Sequence, residues 1–398
     1  MKISRFVSLA LFCASTLSGA SLILVTDQDA QQIKQRVQSG SPQFAAAAAI
    51  WRTEAEKALK QGPWTVTAHH PPIKISPNDY YSEAPYFWPS PNNPGQYVRH
   101  DGQRNPNRFQ DDHHDLDEMN RAVLSLGLAA YIFDDDGYAK HAAEIIAVWF
   151  ENPQTRMNPN LEHGQAIPGQ NDGRGTGIID TVGLIHCVQG MALLQLSGKW
   201  DSSHARAAAN WFSEYLKWLN TSARGKQESE SGNNHETWWT AQAAAYASFS
   251  NDEEAQAKLW AKYRRDLLKQ MSPDGSCPRE LARTNSLSYS CYNMDAFATL
   301  CQIASSHGVD LWHYHQSSET PVSKGFLLLA PYLANPGLAN PGEWHHQQIS
   351  AFNANGLVFP GLAGAALASS ELLAEYNKLQ LPHDSWSHWI RAIVTLDQ

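Results

Sequence analysis

From Asp115 onward, apolar residues recur at Leu116, Met119, Val123, Leu126 and Ala130, the three-to-four spacing that lays a stripe along one face of a helix. Comparable stretches run over 43–60, 138–150, 178–196, 203–219, 235–249, 254–270, 290–306, 323–334, 361–378 and 384–395. Breakers such as Asn152-Pro153, Pro273-Asp274-Gly275, Asn335-Pro336-Gly337 and Asn340-Pro341-Gly342 separate them. Strand-like alternation is nearly absent. The pattern predicts an all-α fold of stacked helical hairpins, a toroid or a solenoid. No short repeat is visible, which argues against a solenoid with a strict motif.

Two stretches break the period. Residues 63–114 and 152–177 are rich in Pro, Asn, Asp and Gly, and the first is dense in Tyr, Phe and Trp. Loops this long inside a compact domain are functional or disordered, and aromatic density disfavours disorder. Both are expected to line a cleft. No shift in composition marks a second domain, so residues 21–398 are read as one domain. Residues 1–20 differ: Lys2 and Arg5 precede an apolar run from Phe6 to Leu17, and Ser18 and Ala20 are small. This is the pattern of an export signal cleaved after Ala20, and the expected location is secreted, or periplasmic in a bacterium. No later stretch reads as long and apolar enough to span a membrane.

The net charge of −9 becomes −11 without Lys2 and Arg5, so neither nucleic acid nor an anionic membrane is an expected partner. Any polyanionic substrate must be held by local cations. Trp is abundant, with 14 residues beside 14 Tyr and 13 Phe; flat aromatic faces suit the C–H faces of sugars, although core packing claims most aromatics. Cys187, Cys277, Cys291 and Cys301 remain after Cys13 leaves with the signal. They allow two disulfides or four buried thiols. Asn220-Thr221-Ser222 is a glycosylation sequon for a eukaryotic secretory pathway.

Two clusters could carry chemistry. Ser231-Gly232-Asn233-Asn234-His235-Glu236-Thr237-Trp238-Trp239 sits where a polar loop enters a helix. Capping alone would explain its Asn and Ser residues. An amide beside an imidazole would also suit removal of a proton α to a carboxylate: Asn234 disperses the developing charge, and His235 accepts a proton near neutral pH. Cys277 to Ser290 contains Glu280-Leu281-Ala282-Arg283 and then Tyr289. Arg283 could fork a substrate carboxylate or stabilise the phenolate of Tyr289.

Together, Asn233-Asn234-His235-Glu236-Thr237-Trp238, Glu280-Leu281-Ala282-Arg283 and Tyr289 resemble the alginate lyase family of polysaccharide lyases. Further segments are similar to an alginate/glucuronan lyase branch: Asp79 to Pro89, Arg99 to Pro106, Met157 to Asn160, Gln165 to Gly169 and Asp172 to Gly175. The six positions from Arg283 to Tyr289 are one fewer than in the periplasmic branch, and Tyr81 stands where an apolar residue is expected. The resemblance covers roughly residues 75–310. It implies an (α/α) toroid of six to seven hairpins and β-elimination on a uronate polymer, with no cofactor. It also implies that Asn234 neutralises the substrate carboxylate, His235 is base or carboxylate partner, and Tyr289 protonates the leaving oxygen.

The loops then acquire candidate substrate contacts. Tyr80 and Trp88 are expected sugar platforms. Arg99, Arg104 and His114 would supply positive potential, and Gln165, Asn171 and Arg174 would line a subsite, with Trp238 beside them. Asp111-Asp112-His113-His114-Asp115 looks like a metal cluster, but adjacent residues rarely all face one ion, and no metal is expected. In mannuronate and glucuronate the C5 proton and the C4 oxygen lie on one side of the ring, so Tyr289 could serve as base and acid. In guluronate they lie on opposite sides, and His235 as base with Tyr289 as acid fits better. Two other classes stay open: a glycoside hydrolase on the same toroid, drawing on Asp172, Asp180 or Glu236, and a non-catalytic protein binding acidic polysaccharide.

Overall fold

The computed structural model describes residues 22–315, 321–333 and 344–396; the expected export signal, 1–20, and the breakers at 335–342 lie outside them. The helices are α1 (Asp27–Gln38), α2 (Pro42–Ala58), α3 (Asp111–Phe133), α4 (Asp136–Ile146), α5 (Leu184–Leu196), α6 (Ser202–Thr221), α7 (Ala223–Ser229), α8 (Asn234–Phe249), α9 (Glu253–Arg265), α10 (Pro278–Leu281), α11 (Ser286–Ser306), α12 (Val322–Leu329), α13 (Phe359–Ala366), α14 (Ser370–Lys378) and α15 (Ser385–Leu396).

Their burial sorts them into two rings. The helices α3, α5, α8 and α11 are buried over most of their circumference, whereas α4, α6 and α9 bury one face and wet the other. Each inner helix packs on the next, α3 on α5, α5 on α8, α8 on α11 and α11 on α13, and each is backed by the helix that follows it. This is the predicted helical toroid. Glycine permits its closest contact: a Cβ on Gly127 of α3 would sit 2.1 Å from the Gly190 carbonyl oxygen of α5, so the backbones can touch only without side chains there. The C-terminal helices complete the ring, α15 packing on α2 and α3. The segment Leu22–Val25 is buried, with Gln302 donating to the Leu24 carbonyl at 2.7 Å.

Several expectations are corrected. The 361–378 stretch is two helices, α13 and α14, broken where Ala368 adopts a φ of +50°. Gly175–Leu196 is long and apolar enough to cross a membrane, yet 78% of its most apolar window is buried in the fold; it is a 3-10 segment (Gly175–Thr181) leading into the core helix α5. The four described cysteines are all free, buried thiols.

The irregular stretches 63–110 and 152–177 lie over one end of the ring. They carry four short strands, β1 (Tyr81–Glu83), β2 (Phe87–Pro89), β3 (Tyr97–Arg99) and β4 (His163–Ala166). Strands β2 and β3 form a hairpin, and β1 pairs in parallel with β4. Buried Asp112 on α3 accepts the Tyr81 N–H at 2.8 Å, and Asp180 accepts from Tyr80, Ser82 and Gln165 at 3.1, 2.6 and 2.8 Å. Both loops are thereby fixed to the ring.

Candidate active site

Beneath these loops lies a cleft of about 1170 Å³. One wall is built at the ends of α8, α10 and α11. Asn233 caps α8, its side chain accepting the His235 N–H at 3.0 Å, so capping and chemistry share the motif: the cap orients the two residues that follow. Asn234 is 1% exposed. Glu280 on α10 accepts from its backbone N at 2.7 Å and from its Nδ2 at 2.8 Å. One amide proton and Oδ1 are left to face the cleft. Burial pushes the Glu280 carboxyl up, and the Asn234 hydrogen bonds pull against it.

His235 is held likewise. Its Nδ1 lies 2.5 Å from Oε1 of Glu228 on α7, a carboxylate whose side chain is 2% exposed. In the neutral ring, a hydrogen bond donated from Nδ1 to this carboxylate makes Nε2 the ring acceptor, as in a Ser-His-Asp triad.

Arg283 lies over the ring of Tyr289, with the guanidinium carbon 3.6 Å from the centroid. Its Nε and Nη2 donate to Asp101 at 3.1 and 2.7 Å, so this edge of its fork is taken by the protein and not free for a substrate carboxylate. Asp101 also accepts from Arg99 and from the Thr284 hydroxyl at 2.6 and 2.9 Å. Burial would raise the Asp101 carboxyl, but the Arg283 and Thr284 contacts outweigh it and hold it well below the usual range. The Tyr289 hydroxyl lies 2.6 Å from the hydroxyl of Tyr86.

Arg283 favours the phenolate of Tyr289, as expected, but other groups oppose it. Burial pushes the Tyr289 phenol up, and Tyr86 adds to this; Arg283 pulls it down by less. Burial is the main cause, and Arg283 shares its charge with Asp101 and covers the ring face rather than the oxygen. Tyr289 rests as a phenol.

The loop segments and their flanks add cations. Arg99, Arg104, Arg108 and Arg174 line the cleft with Gln165. Arg174 donates through Nε to the Gln165 carbonyl and through Nη2 to its Oε1, both at 2.9 Å. Gln165 has a φ of +49°, an uncommon conformation for a non-glycine residue, kept by bonds at its N–H and both ends of its side chain.

Asn234, His235, Arg283, Tyr289, Arg99, Arg104, Gln165 and Arg174 therefore meet in one cleft, and five expected contacts do not. Tyr80 is 1% exposed and bonded to Asp180, so it is core and not a sugar platform. Trp238 is 7% exposed and packs under Tyr292, which itself lines the cleft. Trp88 stands on the rim hairpin, its indole N–H donating to the Gln103 carbonyl at 3.0 Å. Asn171 shapes the 167–171 turn by accepting the Ile167 N–H. His114 is exposed on the outer side of α3, and His113 enters the cleft in its place. Tyr86, Asp101, Glu228 and Glu280 were missed as partners, although all but Glu228 lie inside the segments that carry the resemblance.

Of the acids a hydrolase could draw on, Asp180 lines the cleft but accepts three hydrogen bonds, from Tyr80, Ser82 and Gln165, and the other two are paired. Glu236 pairs with Lys262 at 2.6 Å, and Asp172 with Arg224 at 3.0 Å. No group of His, Cys, Asp and Glu suited to a metal ion occurs among the described residues.

The fold is a helical toroid with a cleft that brings an amide, an imidazole, a phenol and several guanidiniums together, and comparison with known proteins gives its class. The profile of the alginate lyase family matches residues 66–339. The chain is 30% identical to an alginate lyase from Bacteroides ovatus, with a TM-score of 0.85, over 94% of this chain and 99% of that one. Alginate lyase A1-III from Sphingomonas species A1 shares the fold at 17% identity and a TM-score of 0.58, over 91% of each chain. A histidine-to-alanine variant of A1-III, solved with a tetrasaccharide, gives 16% and 0.61 over 94% of each chain. Among curated protein sequences there is no match. The chain belongs to the alginate lyase family, and is a polysaccharide lyase.

Proposed function

We propose that the protein cleaves a 1,4-linked polyuronate, mannuronate-rich alginate or glucuronan, by β-elimination. The observation that carries this reading is the meeting of Asn234, His235, Arg283 and Tyr289 in one cleft that Arg99, Arg104, Arg108 and Arg174 also line. The relatives' substrate, alginate, supports it.

In the proposed step the uronate carboxylate lies against Asn234, whose remaining amide proton disperses the charge that builds as the C5 proton leaves. The C5–H electrons form the C4–C5 double bond, the C4–O bond breaks, and the departing oxygen takes a proton. Tyr289, resting as a phenol, is ready to donate that proton. His235, with Nε2 as acceptor, is ready to take the C5 proton where base and acid stand on opposite faces, as guluronate requires. For mannuronate or glucuronate Tyr289 must first lose its proton, and Tyr86 at 2.6 Å is the adjacent carrier.

The test is the ultraviolet absorbance of the unsaturated uronate product on a panel of mannuronate-rich and guluronate-rich alginate, glucuronan and glycosaminoglycans. Absence of any rise across the panel refutes the reading. We further read residues 1–20 as an export signal, on Lys2, Arg5 and the apolar run after them. N-terminal sequencing of the protein recovered outside the cytoplasm, with Ser21 first, checks it.

A further inference from the structure

The run Asp111-Asp112-His113-His114-Asp115 has no part in the chemistry above, and the structure takes it apart. Asp111 and His114 face solvent. Asp112 is buried and holds Tyr81, and Asp115 pairs with His69 at 2.9 Å. His113 alone turns into the cleft. It begins a stripe along α3 that continues at Asp117 and Asn120, the i, i+4, i+7 spacing of one helix face. His113 Nε2 lies 3.8 Å from Asp117 Oδ2, and both residues line the cleft. Asn120 stands behind cleft-lining Gly183: a Cβ at Gly183 would be 2.6 Å from Asn120 Nδ2 and 3.6 Å from Asp117 Oδ1.

This stripe is rich in unused polar atoms. Nδ1 of His113 and both side-chain polar atoms of Asn120 are buried without a protein partner, and Asn120 is 1% exposed. Buried polar groups normally find partners. Asn120 lies behind Gly183, out of a ligand's direct reach, whereas His113 and the accessible carboxylate of Asp117 line the cleft and can meet a ligand. The charge fixes the chemistry of that ligand. Asp117 disfavours a uronate carboxylate, whereas sugar hydroxyls both donate to a carboxylate and accept from an amide or imidazole N–H.

Position adds the rest. The stripe lies on the α3–α5 arc of the ring, and Asn234 and His235 lie on the α8–α11 arc. In a pyranuronate ring the carboxylate, on C5, and the C2 and C3 hydroxyls stand on opposite edges. A ring with its carboxylate on the α8 arc turns those hydroxyls toward α3. Mannuronate and glucuronate differ only in the configuration at C2.

We propose that His113 and Asp117, backed by Asn120, form a hydroxyl-reading subsite that sets the preference between alginate and glucuronan. This rests on the polyuronate reading above. The experiment measures kcat/KM on mannuronate-rich alginate and on glucuronan for the wild type, Asp117→Asn and His113→Leu, using the detection limit where a polymer is not cleaved. The expected result is a change in the ratio of the two values of about tenfold or more in either variant, with cleavage of one polymer kept within about threefold. A ratio unchanged within about twofold in both variants, or an equal fall on both polymers, overturns the proposal. A wild type that yields unsaturated product on neither polymer refutes the polyuronate reading instead, which separates the two failures.

Discussion

On the α8–α11 arc each candidate catalytic side chain is gripped from behind: Asn234 by Glu280, His235 by Glu228, Arg283 by Asp101, and Tyr289 by Tyr86. Three of these partners are carboxylates, so the wall that would meet a polyanion carries little uncompensated positive charge. The loop wall is built the other way. Arg108 is held by the Asn105 carbonyl and Arg174 by the oxygens of Gln165, neutral acceptors that leave the cationic charge in place. Arg99 is the exception, since it donates to the same Asp101 carboxylate as Arg283; otherwise acids fix position on one wall and neutral carbonyls on the other. The contrast assigns rate to the helical wall and affinity to the loops.

The strongest way to break that assignment is Tyr289→Phe. It removes the proton donor and should lower kcat by a thousandfold or more, on the order of 10³, with KM changed little; a kcat within about tenfold of wild type would be decisive against it. Glu280→Gln follows. The carboxylate that fixes the Asn234 amide is replaced by a group that can oppose Nδ2 with its own N–H, and kcat should fall by about 10²-fold. Combined with Asn234→Ala it should cost almost nothing further, which a double-mutant cycle reads directly. On the loop wall, Arg174→Ala should raise KM about tenfold, keep kcat within about threefold and weaken the salt dependence of KM, since a screened cation is lost.

Two substitutions away from the reacting groups sharpen the contrast as stability effects. Tyr80→Phe loses the hydrogen bond to Asp180 and should cost about 1–2 kcal/mol in denaturant unfolding while leaving kcat alone. Asp295, buried on α11, accepts the N–H groups of Val358 and Phe359 at 3.0 and 2.9 Å, yet burial outweighs them and pushes its carboxyl up to about 7. Between about pH 4 and pH 7 the folded state therefore holds a proton that the unfolded chain has released. Stability from this group is greatest below that window and falls as pH rises through it. Asp295→Asn can still accept both N–H groups, so it should remove this slope and gain roughly 1 kcal/mol at pH 8, measured by thermal unfolding against pH.

The ring was legible because most of its helices repeat apolar residues at helical spacing. The exceptions have local causes. In α1, DQDAQQIKQRVQ buries only Ala30 and Ile33, too few for a stripe. The helices α7 and α10 span only seven and four residues, too short for a period. The Asn234-His235 and Arg283-Tyr289 sets were legible as motifs, but the groups that hold them were not. Glu228 lies seven positions from His235, Glu280 forty-six from Asn234, and Asp101 one hundred and eighty-two from Arg283. Only the closed ring brings such distant positions together. The part of the chain after residue 310, silent in the sequence, also bears on the site. Gln348 accepts the Leu287 N–H at 3.1 Å and steadies the first turn of α11, where Tyr289 sits.

The four buried thiols divide between the same two arcs. Cys187 lies on α5; Cys277 precedes α10, and Cys291 and Cys301 lie on α11. Burial pushes all four thiols up, so a thiolate-seeking reagent meets them only in molecules that have opened. Labelling followed by peptide mass analysis would therefore clock the opening of each half of the ring separately, with no reporter added to the chain.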